Sequence, residues 1–228
     1  MSRNVEFSVG EFYHVYNRGT DKRTIFNKVN DYYRFLILLY LCNSDLKVDL
    51  GDYLRQGQTL SDLLDLERNN TLVEIGAYCL MPNHFHILIS EKSEGGISLF
   101  MQKLITAYTM YFNKKYKRNG ALLQGRFKGN HIEKDNYLKY LFAYIELNPI
   151  KLIEKNWKEL GIKDLLKAKK FLLDYKFSSF LDHYGLSRKE KIILDTKNFP
   201  QYFETHREFE DFLDDWLNFK ELKNPDKS

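Results

Sequence analysis

The sequence predicts an α+β sandwich in which helices cover one face of an antiparallel-rich sheet. Three observations point there. Short aromatic or β-branched runs alternate with longer runs at helical spacing. Their order is strand, helix, strand, strand, helix, strand, helix. The two central strands are separated only by Met81, Pro82 and Asn83, and the last two favour a tight connection. This order is close to the ferredoxin-like arrangement.

Phe12 to Tyr16 (FYHVY) reads as the first strand, ended by the turn residues Asn17-Arg18-Gly19. Asn30 or Asp31 can cap a helix through YYRFLILLYLC, which is apolar on most sides and therefore suited to burial. Residues 44–71 are polar, acidic and broken by glycines. They read as an insertion with a short helix over Leu60 to Leu66. LVEIGAYCL and HFHILIS form the central strand pair, and Ile97 to Tyr116 follows as a long helix. Residues 126–132 read as another strand. Lys134-Asp135-Asn136 then opens a helix that runs from Tyr137 to about Leu147, and Pro149 stops it. The boundaries expected are a core domain over 1–155 and a helical C-terminal extension over 156–228.

Composition narrows the class. Of the 228 residues 43% are hydrophobic, enough for a real core, and the many rings (16 Tyr, 17 Phe) largely belong inside it. Cys42 and Cys79 have no zinc-ligand spacing and read as buried thiols. The apolar stretch Phe35 to Cys42 is too short to cross a bilayer, and the N-terminal residues have no signal-peptide run. A soluble, cytoplasmic protein without a membrane partner is the expectation.

A net charge of +4 is too mild to identify a nucleic-acid binder, but the charge is unevenly placed. Met101 to His131 contains Lys103, Lys114, Lys115, Lys117, Arg118, Arg126 and Lys128 and no acid, in a chain with 31 acids. Tyr108, Tyr111, Phe112, Tyr116 and Phe127 are interleaved. Basic residues neutralise phosphates and rings stack on unpaired bases. The plainer alternative is the solvated face of a helix.

His84 and His86 stand two apart on a strand and so project from one face, where two imidazoles can chelate a divalent ion. Phe85 would enter the core on the other side. Two unrelated polar residues at a strand start would look the same. A third ligand must come from elsewhere. Tyr144 and Asn148 in YLFAYIELNP are four apart on one helix face, and an Asn carbonyl is a hard oxygen suited to Mg2+ or Mn2+. A core tyrosine and a helix C-terminus before proline would fit that spacing equally.

MPNHFHIL, LLQGRFKGNHI and YLKYLFAYIELNPIKL, in this order, resemble the single-tyrosine HUH transposases, and among them the REP-associated tyrosine transposases. YHVYNRG and YKFSSFLDHYG are similar to that group as well, so the resemblance spans roughly residues 10–185; residues 44–71 and those beyond 185 have no clear counterpart. The resemblance implies that His84 and His86 bind the metal and that Tyr144 is the nucleophile. Asn148 would complete the metal site, at a position where relatives often carry Gln. It further implies attack on single-stranded or hairpin DNA, a 5′-phosphotyrosine and a free 3′-hydroxyl, and rejoining by a second 3′-hydroxyl. Arg126 and Lys128 are the expected phosphate contacts. Some relatives are dimers, so a homodimer is one expectation. A non-catalytic DNA- or RNA-binding regulator, a phosphodiesterase that uses water, and a plain α+β protein with core histidines are the competing readings.

Overall fold

The computed structural model describes residues 6–46, 50–200, 202 and 207–212. β1 (Phe12–Arg18), α1 (Val29–Leu41), β2 (Val73–Met81), β3 (His84–Glu91), a long helix over Gly96–Lys115 and β4 (Lys128–Ile132) follow the βαββαβ order. A short α2 (Leu50–Arg55) lies in the α1–β2 connection, so the long helix is α3. All strand pairings are antiparallel, in the spatial order β2-β3-β1-β4. This is the ferredoxin-like arrangement.

Each face of the sheet has its own core. Tyr13, Val15, Tyr78, Leu80, Phe85, Ile87 and Ile89 pack against α1 and α3. The two crossover helices thus share one face, as expected. Ala77, Cys79, Met81 and Leu88 point the other way, against α4 (Asp135–Leu147).

Alternation alone does not produce this division. Val73 and Ile75 belong to the α1/α3 core, and Ala77, Cys79 and Met81 to the α4 core. The switch occurs at Gly76, where β2 opposes Ile75 to Ile89 and Ala77 to Leu88, with one residue extra. Such a bulge re-aims every side chain after it. Gly76 is also filled from outside: a Cβ there would lie 2.5 Å from the Phe199 ring.

The β2–β3 turn is held by the chain after β1. The Ile25 and Phe26 N–H groups donate to the Pro82 carbonyl at 2.8 and 3.1 Å, and Gly19 N–H donates to the Asn83 carbonyl at 2.9 Å. The α1 N-terminus is fixed by Asp31, which is fully buried. Its carboxylate accepts from the Asn27 and Lys28 N–H groups, from the Tyr111 and Tyr116 hydroxyls and from the Lys115 ammonium.

Residues 44–71 are more tightly built in than an insertion requires. The helix expected over 60–66 is a single 3-10 turn, Asp62–Leu64, whose Leu63 and Leu64 are buried with the α1 core. The chain after α4 forms α5 (Trp157–Leu160), α6 (Leu165–Asp174) and α7 (Phe180–His183). Trp157, Ala168, Leu172, Phe180 and Leu181 share the core of α4. This tail also lies along β2, with Leu80 N–H donating to the Phe177 carbonyl at 2.9 Å and Ser179 N–H to Tyr78 at 3.0 Å. Among the described residues no helix is long and apolar enough to cross a membrane.

Candidate active site

The β1/β3 register places His14 beside Leu88, Tyr16 beside His86 and Arg18 beside His84. Residues paired across a sheet point to the same face, so the even-numbered residues of both strands face α4. Phe85, between the histidines, is fully buried in the opposite core. The His84 and His86 rings are 5.1 Å apart and nearly perpendicular.

Both histidines are oriented through Nδ1. Asn83 Oδ1 lies 2.6 Å from His84 Nδ1. The other end of that amide is committed, since Asn83 Nδ2 donates to the Lys22 carbonyl at 3.0 Å. A carbonyl oxygen only accepts, so His84 Nδ1 carries the proton and Nε2 keeps its lone pair. His86 Nδ1 lies 2.8 Å from His14 Nε2. When the His86 Nδ1–H donates to His14, the His86 Nε2 lone pair is open too. Hydrogen bonds of this kind set the tautomer of metal-binding histidines.

All three rings are held neutral. Burial, then the Lys158 charge, pushes His14 down to about 3. Burial, then Arg18, Lys151 and Lys158, brings His84 to about 4. His86 is driven well below the usual histidine range by burial first and its two histidine neighbours next.

Tyr144 comes from α4 and meets this group edge-on, its ring 5.4 Å from His86 and 6.3 Å from His14. Burial raises its phenol pKa, and a hydrogen bond from the Asn148 side chain works against that rise. Asn148 caps α4 and is buried, and its Oδ1 has no hydrogen-bond partner. Among the described residues no three His, Cys, Asp or Glu side chains cluster as a metal site. The residues that could hold a metal there are His84, His86 and, through its side-chain oxygen, Asn148, all neutral.

The predicted basic residues divide between the two faces: Lys128 pairs with Tyr16, the partner of His86, and so shares the histidine face. Lys114, Lys115, Lys117 and Arg118 sit at the end of α3, the helix on the far face of the sheet. Of these, Lys115 is bound into the Asp31 cluster at 2.5 Å, and the Arg118 guanidinium lies beside the Phe112 ring at 5.8 Å. Arg126 and Lys128 are exposed, before and at the start of β4.

Sequence reasoning missed His14, Asn83 and Lys158 as parts of the site. His14 had a signal: it shares the parity of Phe12 and Tyr16 in a strand-like run. Asn83 read as a turn residue and is one, with its side chain serving His84. Lys158 had none. Its ammonium lies 3.5 Å from the Tyr144 ring centroid, brought there by α5, whose Trp157 is buried in the α4 core.

No curated protein matches the chain. A solved structure described as the REP-associated tyrosine transposase bound to a REP hairpin aligns with a TM-score of 0.48 at 15% identity, covering 83% of this chain and 90% of that chain. Residues 57–148 match the family model described as Transposase IS200 like, a span that begins inside the 44–71 segment and ends at Asn148. The portion of the chain that is similar to the IS200-like transposase family model carries β2 to α4, with His84, His86, Tyr144 and Asn148.

Proposed function

We propose that this protein cleaves and rejoins single-stranded DNA, next to or within a hairpin, through a covalent bond to Tyr144. One observation carries the reading: Tyr144 packs against His86, and one turn further along, at the end of α4, Asn148 buries an oxygen without a partner. An orphaned buried carbonyl is costly, and a cation is a chemically apt partner for it.

His84 Nε2, His86 Nε2 and Asn148 Oδ1 would hold a divalent ion, Mg2+ or Mn2+. Bound there, the ion would supply Lewis-acid stabilisation of the charge on the phosphate oxygens. The residues of the chain do the rest. α4 presents the Tyr144 hydroxyl, and the Asn148 amide hydrogen bond favours its ionised form. The phenolic oxygen forms a bond to phosphorus and the bond from phosphorus to the 3′ oxygen breaks. The phenol loses a proton and the leaving 3′ oxygen gains one. The phosphotyrosine keeps the energy of the original diester, so a second 3′-hydroxyl can reverse the step on another strand.

The test uses radiolabelled single-stranded DNA and Mn2+, with products run on a denaturing gel. A protein–DNA adduct is expected, absent in Tyr144→Phe and retained in the control Tyr140→Phe, whose ring stacks on Tyr144 at 6.2 Å. An adduct in Tyr144→Phe would overturn the nucleophile. Cleavage without any adduct would favour a water-using phosphodiesterase, and binding without cleavage a non-catalytic regulator.

A further inference from the structure

Three cations crowd the histidine pair. Arg18 ends β1 directly opposite His84, Lys151 follows Asn148 in the 3-10 turn Asn148–Leu152, and Lys158 lies over Tyr144. The charges of all three act on His84, and those of both lysines on His86. Among the described residues none of the three is in an ion pair. Glu159 acts on Lys158, but less than the repulsion from Lys151 does, and with burial the largest influence the ammonium falls to about 8. The donors facing these cations are two imidazoles and one amide oxygen, with no carboxylate. A divalent ion placed there would keep its full charge and add to the repulsion.

Such a centre lacks an anion. Resting on the function proposed above, we infer that Arg18, Lys151 and Lys158 form the binding site for the phosphate that Tyr144 attacks, and that metal and phosphate bind there with positive coupling. The protein alone holds the ion weakly, because three cations oppose it. The DNA phosphate cancels that opposition and brings oxygen ligands of its own. Coupling is reciprocal, so the ion tightens the DNA to the same degree. The basic end of α3 and the exposed Arg126 and Lys128 then serve the flanking strand.

The two ligands respond oppositely to loss of a lysine, which separates this arrangement from a structural role. The experiment uses the full chain carrying Tyr144→Phe, to prevent reaction. Mn2+ binding is read by EPR with and without a saturating single-stranded oligonucleotide, and oligonucleotide binding by anisotropy. The oligonucleotide is expected to tighten Mn2+ about tenfold or more, the scale of ordinary coupling. Adding Lys158→Met with Lys151→Met should tighten Mn2+ several-fold in the DNA-free protein and weaken oligonucleotide binding. Lys158→Arg should leave both near the starting values. Mn2+ binding that ignores the oligonucleotide, or that weakens in the lysine variants, overturns the inference and leaves the metal site standing. Absence of Mn2+ binding under every condition, equal to that of His84→Ala, removes the proposed metal site itself and the inference with it.

Discussion

His14 Nε2 lies 2.8 Å from His86 Nδ1, so the first strand of the sheet fixes a ring on the third. This contact is buried and couples the strand that lies outside the family-matched span to the centre within it. His14→Ala removes a buried ring that stacks on Tyr16 and His86, so its fold is checked beside its affinity. It should lower Mn2+ affinity about tenfold to a hundredfold, the usual effect of losing a hydrogen bond behind a ligand. Isothermal titration of Mn2+ into wild type and variant, with a far-UV CD melt beside it, reads both quantities. Equal affinities would show that the His14–His86 contact does not orient a ligand.

Asp31 joins α1 to α3 through a fully buried carboxylate that receives five hydrogen bonds. Burial works to raise its pKa, and the bonds from Lys115, Tyr116, the Lys28 N–H and Tyr111 outweigh burial, leaving it below the usual carboxylate range. A depressed folded-state pKa means that this group's contribution is complete above the unfolded value of about 3.9 and is lost as pH falls through the folded value. Urea midpoints should therefore drop below about pH 4. Asp31→Asn should cost about 3 kcal/mol at pH 7, since it leaves Lys115 without its partner. The variant's midpoint should also vary less with pH in the acid range. A loss below about 0.5 kcal/mol would reduce the cluster to a surface ion pair in its energetics.

The order of strands and helices, and the hairpin at Pro82-Asn83, were legible because each rests on short-range pattern. His84 and His86 sharing a face followed from strand periodicity alone. The division of β2 between two cores was not legible, because Gly76 interrupts the alternation and its reason for being glycine is Phe199, far along the chain. The placement of α4 against the histidines, on the face opposite α1 and α3, likewise depends on packing that no local pattern encodes. Lys158 could not be picked out because its neighbours in sequence are ordinary. Lys115 was misleading in the opposite sense: it belongs to an acid-free basic run, yet its ammonium is spent on Asp31.

Gly76 and Phe199 make a second, independent stability test. A Cβ at Gly76 would sit 2.5–2.7 Å from three atoms of the Phe199 ring. Gly76→Ala should cost about 1–3 kcal/mol, the range for overpacking a filled interior. Phe199→Ala should be destabilising alone, since it empties the same space. In the double variant the added methyl no longer meets the ring, so the two costs should not add. A double-mutant cycle on denaturant midpoints measures this coupling. Strict additivity would mean that Phe199 does not cover Gly76 in solution.

Asn83 offers the sharpest test of how the site is set. Its Nδ2 donates to the Lys22 carbonyl at 3.0 Å, which aims Oδ1 at His84 Nδ1 at 2.6 Å and leaves Nε2 with the lone pair. Asn83→Ala removes the acceptor, frees the imidazole to take either tautomer and loosens the turn side chain. Mn2+ affinity should fall about tenfold. Asn83→Asp keeps an acceptor for the Nδ1–H and adds a negative charge behind the ring, which raises the basicity of Nε2. It should bind Mn2+ at least as tightly as wild type even though the bond to Lys22 is lost. A structural role for the Asn83–Lys22 bond predicts the opposite order, with both variants weakened together. The ranking of the two affinities, measured by Mn2+ EPR on equally folded samples, decides between tuning of His84 and support of the turn.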